Sequence, residues 1–238
     1  NRQAQVFAYP TFISPVIMAS AATMLRNEGH EVHWGDGPAM GMSWEFYLKW
    51  LKGIRPEVIL WEAKTPSIKG TWRRAREVKK EMEKCEVVLC GDHVSALPNE
   101  SLEKAPVSVI TGGDYDFGIM QWIKEPQSLL KMHTRSELSQ VPLIDRKLSH
   151  WWSYAYRNGN FKYLPATYTM IGRDCWWRHE GGCTFCSWTN TFKNWRVGSV
   201  DQLMAEVENC YSLGIREIFD DTGTFPIGKW LHQFCEEL

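Results

Sequence analysis

The chain has no run of about 18 consecutive apolar residues, the length a membrane-crossing helix needs. It also lacks an excess of either charge: 27 Lys plus Arg stand against 28 Asp plus Glu, a net charge of −1. The first absence excludes a helical span. The second argues against a protein that coats nucleic acid or docks on lipid through a polybasic patch. Solenoid-period repeats and low-complexity tracts are missing too. No Gly-x-Gly-x-x-Gly is present, which disfavours a nicotinamide or flavin dinucleotide. The first residues, NRQAQVFAYP, lack the charged start, apolar stretch and cleavage site of an export signal, so a cytoplasmic location is expected. Residue 1 is Asn rather than Met, and the expectation is that the true start lies upstream.

What is present is enough for a core. Of 238 residues, 44% are apolar, which excludes wholesale disorder and leaves room for one large or two small domains. Thirteen Trp are available for cores and pocket walls. Seven Cys cannot all pair, and with no export signal they read as reduced or metal-bound.

Strand and helix signals alternate over the first 125 or so residues. Strands are expected at Gln5–Tyr9, Glu31–Trp34, Glu57–Trp61, Val87–Cys90 and Val107–Thr111. Helices are expected at Pro15–Asn27, Trp44–Lys52, Ser67–Lys84, Asn99–Lys104 and Phe117–Lys124. Ser14-Pro15 reads as a cap with proline in the first turn, and Gly29 as a stop. The Lys/Arg-rich stretch from Lys69 to Lys84 reads as a solvated helix face. Such alternation predicts an open parallel sheet with helices on both faces and ligands beyond the carboxyl ends of the strands. The loops to watch are therefore Tyr9–Ser14, Glu62–Ser67, Gly91–Ser95 and Gly112–Asp116.

Periodicity fades from Glu125 to Pro165, and residues 126–165 read as an ordered linker whose aromatics are too many for a free tether. Tyr168–Ile171 and Ile215–Phe219 then read as strands, with helices at Val200–Leu213 and from Ile227 onward.

The sharpest motif is Gly172–Trp188, GRDCWWRHEGGCTFCSW. Cys175, Cys183 and Cys186 are spaced C-x7-C-x2-C after a strand, and Gly181-Gly182 allow a sharp backbone path. Three thiolates on a four-iron cluster leave one iron open, whereas a structural zinc site takes four protein ligands. His179 as a fourth ligand, giving a Cys3His zinc site, and a loose group of cysteines are the alternatives. The tryptophan pairs Trp151-Trp152 and Trp176-Trp177 read as packing or as walls of a cofactor pocket.

These residues resemble the radical SAM superfamily, whose usual motif is C-x3-C-x2-C with an aromatic before the last Cys. Phe185 holds that aromatic place, and the first gap is four residues longer. The resemblance implies a 4Fe–4S cluster on Cys175, Cys183 and Cys186. It implies S-adenosylmethionine (SAM) bound through the open iron, with Phe185 beside it. It further implies that Asp221, Thr222 and Gly223 hold the SAM amino group; ordinary helix capping is the other reading of that segment.

The N-terminal part resembles the cobalamin-binding domain that precedes the barrel in one branch, the class B methyltransferases and anaerobic cyclases. The segment Ser14–Val32 (SPVIMASAATMLRNEGHEV) and the loops Gly91-Asp92-His93 and Gly112-Gly113-Asp114 carry this likeness. It implies a cobalamin site formed by Thr65, Pro66, Ser67, Gly91, Asp92, His93, Gly112, Gly113 and Asp114. The cobalt-ligating Asp-x-His-x-x-Gly is missing, which implies cobalamin without a protein imidazole on cobalt. His93 alone reads more simply as a loop hydrogen-bonder.

The expected architecture is thus α/β. A Rossmann-like, doubly wound parallel sheet of cobalamin-binding type (1–125) and a linker (126–165) precede the first part of a (β/α) radical SAM barrel (166–238). The implied reaction is methylation of an unactivated carbon through a 5′-deoxyadenosyl radical and methylcobalamin, fed by an external electron donor. The substrate, a small molecule or peptide, is unspecified. Radical cyclisation or rearrangement is the alternative within the class. Outside it stand a zinc- or cluster-stabilised binding module and an electron-transfer iron–sulfur protein, the latter needing Cys210 or Cys235 as fourth ligand. Only two βα units follow the linker, so the expectation is a truncated chain or a barrel completed by a partner.

Overall fold

A computed structural model describes residues 11–132, 137–192 and 194–238. The strand expected at Gln5–Tyr9 and the start of the loop from Tyr9 lie outside the described residues. By internal contacts the chain forms two compact units, one of residues 35–132 and one of residues 11–34 together with 137–238.

Helix α1 (Val16–Asn27) belongs by contacts to the second unit. Its small residues Ala19, Ala21 and Ala22 are buried. It stops where the sequence predicts: Gly29 has φ 93°, and the His30 N–H donates to the Leu25 carbonyl at 3.1 Å. Ser14 makes no capping bond; Pro15 is the cap residue. Glu31–Trp34 is not a strand. Trp34 instead donates its indole N–H to the Tyr154 hydroxyl at 3.2 Å, a partner no local pattern announces.

In the unit of residues 35–132, helix α2 (Trp44–Ile54) is capped by Ser43, which accepts from the Phe46 N–H. There follow β1 (Val58–Glu62), α3 (Ile68–Glu81), β2 (Glu86–Cys90), α4 (Asp92–Ala96), α5 (Pro98–Lys104), β3 (Ser108–Thr111), α6 (Tyr115–Lys124) and β4 (Leu129–Lys131). The four strands are parallel in the order β1-β2-β3-β4. Strand residues alternate faces. Ile59, Val87, Leu89 and Val109 pack with Tyr47 and Leu51 of α2 and with Trp72, Ala75 and Val78 of α3. Burying each of the larger aliphatics stabilises by roughly 1.5–3 kcal/mol. Ile110 points to the other face and meets α6, where a Cβ on Gly118 would lie 2.6 Å from Ile110 Cγ2. Helices therefore cover both faces. The basic run of α3 faces solvent while Ile68, Trp72, Ala75 and Val78 face inward. Strand β4 and helix α4 fall where the sequence reading has linker and loop.

In the other unit, residues 137–165 are ordered and carry helix α7 (Trp152–Ala155). They lead to β5 (Ala166–Thr169), β6 (Gly172–Arg173), α8 (Trp188–Thr191), β7 (Arg196–Val197), α9 (Val200–Ser212), β8 (Glu217–Asp220) and α10 (Lys229–Glu237). Strands β5 and β8 pair in parallel through α9, a βαβ unit. Strands β6 and β7 pair antiparallel, Gly172 opposite Val197 and Arg173 opposite Arg196. Ser199 and Gln202 form a reciprocal capping box that starts α9.

Candidate cofactor sites

The cysteine motif lies on one excursion, leaving β6 and returning through α8 and β7. Cys175 begins it, and Trp176–Glu180 form a 3-10 turn. Gly181 and Gly182 follow at φ 99° and 73°, and Cys183 and Cys186 bracket a turn closed by a 3.1 Å bond from the Cys186 N–H to the Cys183 carbonyl. All three cysteines are half-buried and none of the seven is in a disulfide. Among the described residues no three His, Cys, Asp or Glu side chains are gathered so as to hold a metal ion, so the three thiols share a loop without converging on one point. The donor set still fits an iron–sulfur cluster: three soft, reachable sulfur ligands on one loop. His179 is exposed. Phe185 projects into solvent at 89% exposure. Trp176 and Trp177, also exposed, meet edge to face at 5.2 Å. Neither pair of adjacent tryptophans is core: Trp152 is exposed and stacks on His150.

The structure brings the Asp220–Gly223 segment to the root of this loop. Asp220 ends β8, and its carboxylate accepts from the Thr169 hydroxyl and the Ile171 N–H, both at 2.9 Å, and from the Thr222 N–H at 3.0 Å. The Asp221 N–H donates to the Thr169 carbonyl at 2.7 Å. Thr222 Oγ1 accepts from the Gly172 N–H at 2.8 Å. Gly223 packs so closely that a Cβ would lie 2.5 Å from the Asp174 carbonyl and 2.7 Å from the Trp188 ring. Only a residue without a side chain fits there. Asp221, Thr222 and Gly223 therefore sit beside the strand that launches the cysteines, at the carboxyl ends of two parallel neighbours. Sequence reasoning missed Asp220 as the organiser of this corner, and it missed Asp174 and Arg178. Asp174 and Arg178 form an i,i+4 ion pair, and that Asp-x3-Arg spacing was the available signal.

At the carboxyl edge of the four-stranded sheet, the loops singled out from sequence lie at successive strand ends. Thr65, Pro66 and Ser67 form an exposed 3-10 turn after β1. Gly91, at φ 99°, follows β2, and a Cβ there would meet Glu62 Cγ at 2.9 Å. Gly112, Gly113 and Asp114 follow β3 and are buried. The Gly112 N–H donates to Ser95 Oγ at 2.8 Å.

His93 is buried and stands edge-on to Trp72 at 5.8 Å. Its Nδ1 lies 3.2 Å from Thr65 Oγ1. Its Nε2 lies 3.2 Å from Glu100 Oε2, at ion-pair range but outside hydrogen-bond angles. Asp92 is drawn to Lys64, whose ammonium lies 3.0 Å from Asp92 Oδ2 and 2.8 Å from Glu62 Oε1. Burial pulls the Lys64 pKa down, but the two carboxylates outweigh it and hold it above the ordinary lysine value. The exposed part of this rim is the Thr65-Pro66-Ser67 turn, while Gly91, Gly112, Gly113 and Asp114 are buried; the rim lies beyond the strand ends, where an open parallel sheet takes its ligands.

No protein-family model matches the chain. It is 25% identical over 238 residues to an uncharacterized methyltransferase, PH0819, of Pyrococcus horikoshii, an alignment covering 90% of this chain and 50% of that protein. It is 21% identical over 270 residues to the anaerobic magnesium-protoporphyrin IX monomethyl ester cyclase of Cereibacter sphaeroides, covering 98% of this chain and 43% of the cyclase. Among solved structures it is similar to TsrM, a radical S-adenosylmethionine methyltransferase from Kitasatospora setae. With TsrM holding cobalamin and a 4Fe–4S cluster, the TM-score is 0.60 at 14% identity, over 92% of this chain and 46% of TsrM. With TsrM holding a tryptophan substrate and a SAM analog, aza-SAM, it is 0.58 at 15% identity, over 89% and 45%. The likeness to TsrM establishes the fold: a Rossmann-like parallel sheet followed by the first part of a (β/α) barrel. The chain spans about half the length of the relatives it matches.

Proposed function

We propose that the chain carries the cobalamin-binding sheet and the cluster-binding loop of a radical SAM enzyme that methylates an unactivated carbon. The observation that carries this reading is the packing of Asp221-Thr222-Gly223 against the root of the loop that bears Cys175, Cys183 and Cys186. A cationic amino group and a cluster are then served from adjacent strand ends. The order of parts supports it as well, with a glycine-rimmed parallel sheet preceding a βαβ unit whose first strands lead into three cysteines. When bound, the cluster with SAM supplies one-electron radical chemistry, and cobalamin supplies methyl transfer.

The chain's own residues do the rest. Cys175, Cys183 and Cys186 would hold the cluster through their three sulfurs. The Asp221–Gly223 segment orients the SAM amino group through backbone carbonyls and the Asp221 carboxylate. Phe185, the aromatic before the last thiol, projects into solvent and would have to turn inward to lie beside the SAM. The corrin would be held by Gly91, Gly112 and Gly113, by the Thr65-Pro66-Ser67 turn and by Asp92 and Asp114. His93, facing Thr65 and Glu100, holds the Thr65 turn.

Likeness to the cyclase favours radical ring formation as the second reading. The proposal is tested by anaerobic reconstitution of the 238-residue chain with iron, sulfide and cobalamin. Cobalt should co-purify, and the reduced cluster's electron paramagnetic resonance spectrum should shift when SAM is added. A cluster indifferent to SAM overturns the reading.

A further inference from the structure

Arg178 sits inside the seven-residue gap between the first two cysteines, on the 3-10 turn Trp176–Glu180. Its guanidinium reaches both ends of the cysteine excursion. On one side Nε pairs with Asp174 Oδ2, and Nη2 donates to Asp174 Oδ1 at 3.1 Å. On the other side Nη2 donates to the carbonyls of Trp188, at 3.0 Å, and of Phe192. Asp174 immediately precedes Cys175, is 1% exposed and has φ 71°. Trp188 stands two residues beyond Cys186. One planar fork thus ties the chain just before the first thiol to the chain just after the last.

The same corner is closed from below by the Trp176 N–H, which donates to Thr224 Oγ1 at 3.3 Å, and by the contact of Gly223 with Asp174 and Trp188. Without the guanidinium, a buried carboxylate loses its counter-charge and two carbonyls lose a donor. Lysine, a single point charge, cannot span both sets of acceptors as a fork does.

We propose that Arg178 is the positioning residue of the cysteine loop, the clamp that fixes the distance between its two ends so that three thiols are presented to one cluster. This rests on the cluster-binding reading of Cys175, Cys183 and Cys186. Arg178 acts through the backbone and touches neither cluster nor SAM.

The test compares wild type, R178K and R178M in two ways. The first is iron and sulfide retained per chain after anaerobic reconstitution and desalting. The second is amide hydrogen exchange of residues 183–188 in the cluster-free chain. R178M should hold the cluster about 10- to 100-fold more weakly, the size of a partner that orients ligands from outside the ligand set. Its loop should exchange about 10- to 100-fold faster, the factor for lost hydrogen bonds to a charged group. Exchange in β5 and α9 should be unchanged, and R178K should restore part of both losses. If R178M also loses protection in β5 and α9, R178K against wild type carries the comparison. Iron retention and loop exchange equal to wild type in both variants overturn the clamp. A wild-type chain that takes up no iron overturns the cluster reading instead, while the exchange comparison still decides whether Arg178 closes the loop.

Discussion

Burial pushes the thiols of Cys85 and Cys210 up to about 11, and that of Cys90 well above its ordinary value. They stay protonated at neutral pH and serve as small core residues. Cys210 is fully buried on α9, with Arg146 and Glu206 beside it. Iodoacetamide at pH 8 should label Cys175, Cys183, Cys186 and exposed Cys235 in the cluster-free chain and spare Cys85, Cys90 and Cys210; peptide mass spectrometry reads the pattern, and modification of the buried three contradicts it.

Lys64 is the second residue whose charge is set by its neighbours. Its folded pKa is raised by Glu62 and Asp92 against the pull of burial. The stability it contributes is thus fully present below the unfolded lysine value of about 10.4 and is lost as pH rises through the folded value. Lys64→Met should cost about 1–3 kcal/mol at pH 7 by leaving Glu62 without its cation. It should also remove part of the wild type's fall in stability above about pH 10.4, as read by denaturant titration.

At the scale of elements, the segment 137–165 works as a strap on the βαβ unit. Glu206 of α9 accepts from the Ile144 N–H at 2.7 Å and from Arg146 Nη2 at 2.8 Å. Buried Arg146 also donates to Thr167 Oγ1 of β5 at 3.1 Å. Glu206→Ala should destabilise by about 3–5 kcal/mol, because it strands a buried guanidinium. An unchanged thermal midpoint would contradict the strap. Thr23 Oγ1 of α1 accepts from the Asp145 N–H at 3.0 Å, and Arg26 pairs with the Asp145 carboxylate, so the strap also binds α1.

These long-range partners explain what could be read in advance. Elements with a local signature were legible: the apolar runs of β1 and β2, the Gly29 stop of α1 and the solvated basic face of α3. Glu31–Trp34 misled because four residues of alternation do not outweigh a tertiary partner for Trp34. Strand β4 is three residues long, too short to show a period. The grouping of α1 with residues 137–238 rests on Arg26, Thr23 and Trp34 meeting residues more than a hundred positions away. That the cysteines follow one strand and the Asp221–Gly223 segment another was legible, because residue type and spacing mark both places; that the two places adjoin was not. The Asp174–Arg178 pair had its four-residue spacing as a signal, but the hydrogen bonds of Arg178 to Trp188 and Phe192, and of Asp220 to Thr169 and Ile171, join residues that only the folded chain brings near.

For the whole molecule, two compact units carry the two sets of proposed cofactor residues. Ligands that bind only the folded state stabilise the unit that holds them. Hydroxocobalamin should therefore slow hydrogen exchange in residues 58–115, and cluster loading should slow it in residues 166–223. A cobalamin effect confined to residues 166–223 would contradict the assignment of the sheet. Among the described residues no helix is long and apolar enough to cross a membrane.

The central claim is that Cys175, Cys183 and Cys186 bind an iron–sulfur cluster through three sulfurs. Iron, sulfide and zinc per chain, measured after anaerobic reconstitution of the wild type and of Cys183→Ala, test it most directly. The account predicts about four iron and four sulfide in the wild type and close to none in the variant. One zinc without sulfide in the wild type, or full iron in Cys183→Ala, would contradict it.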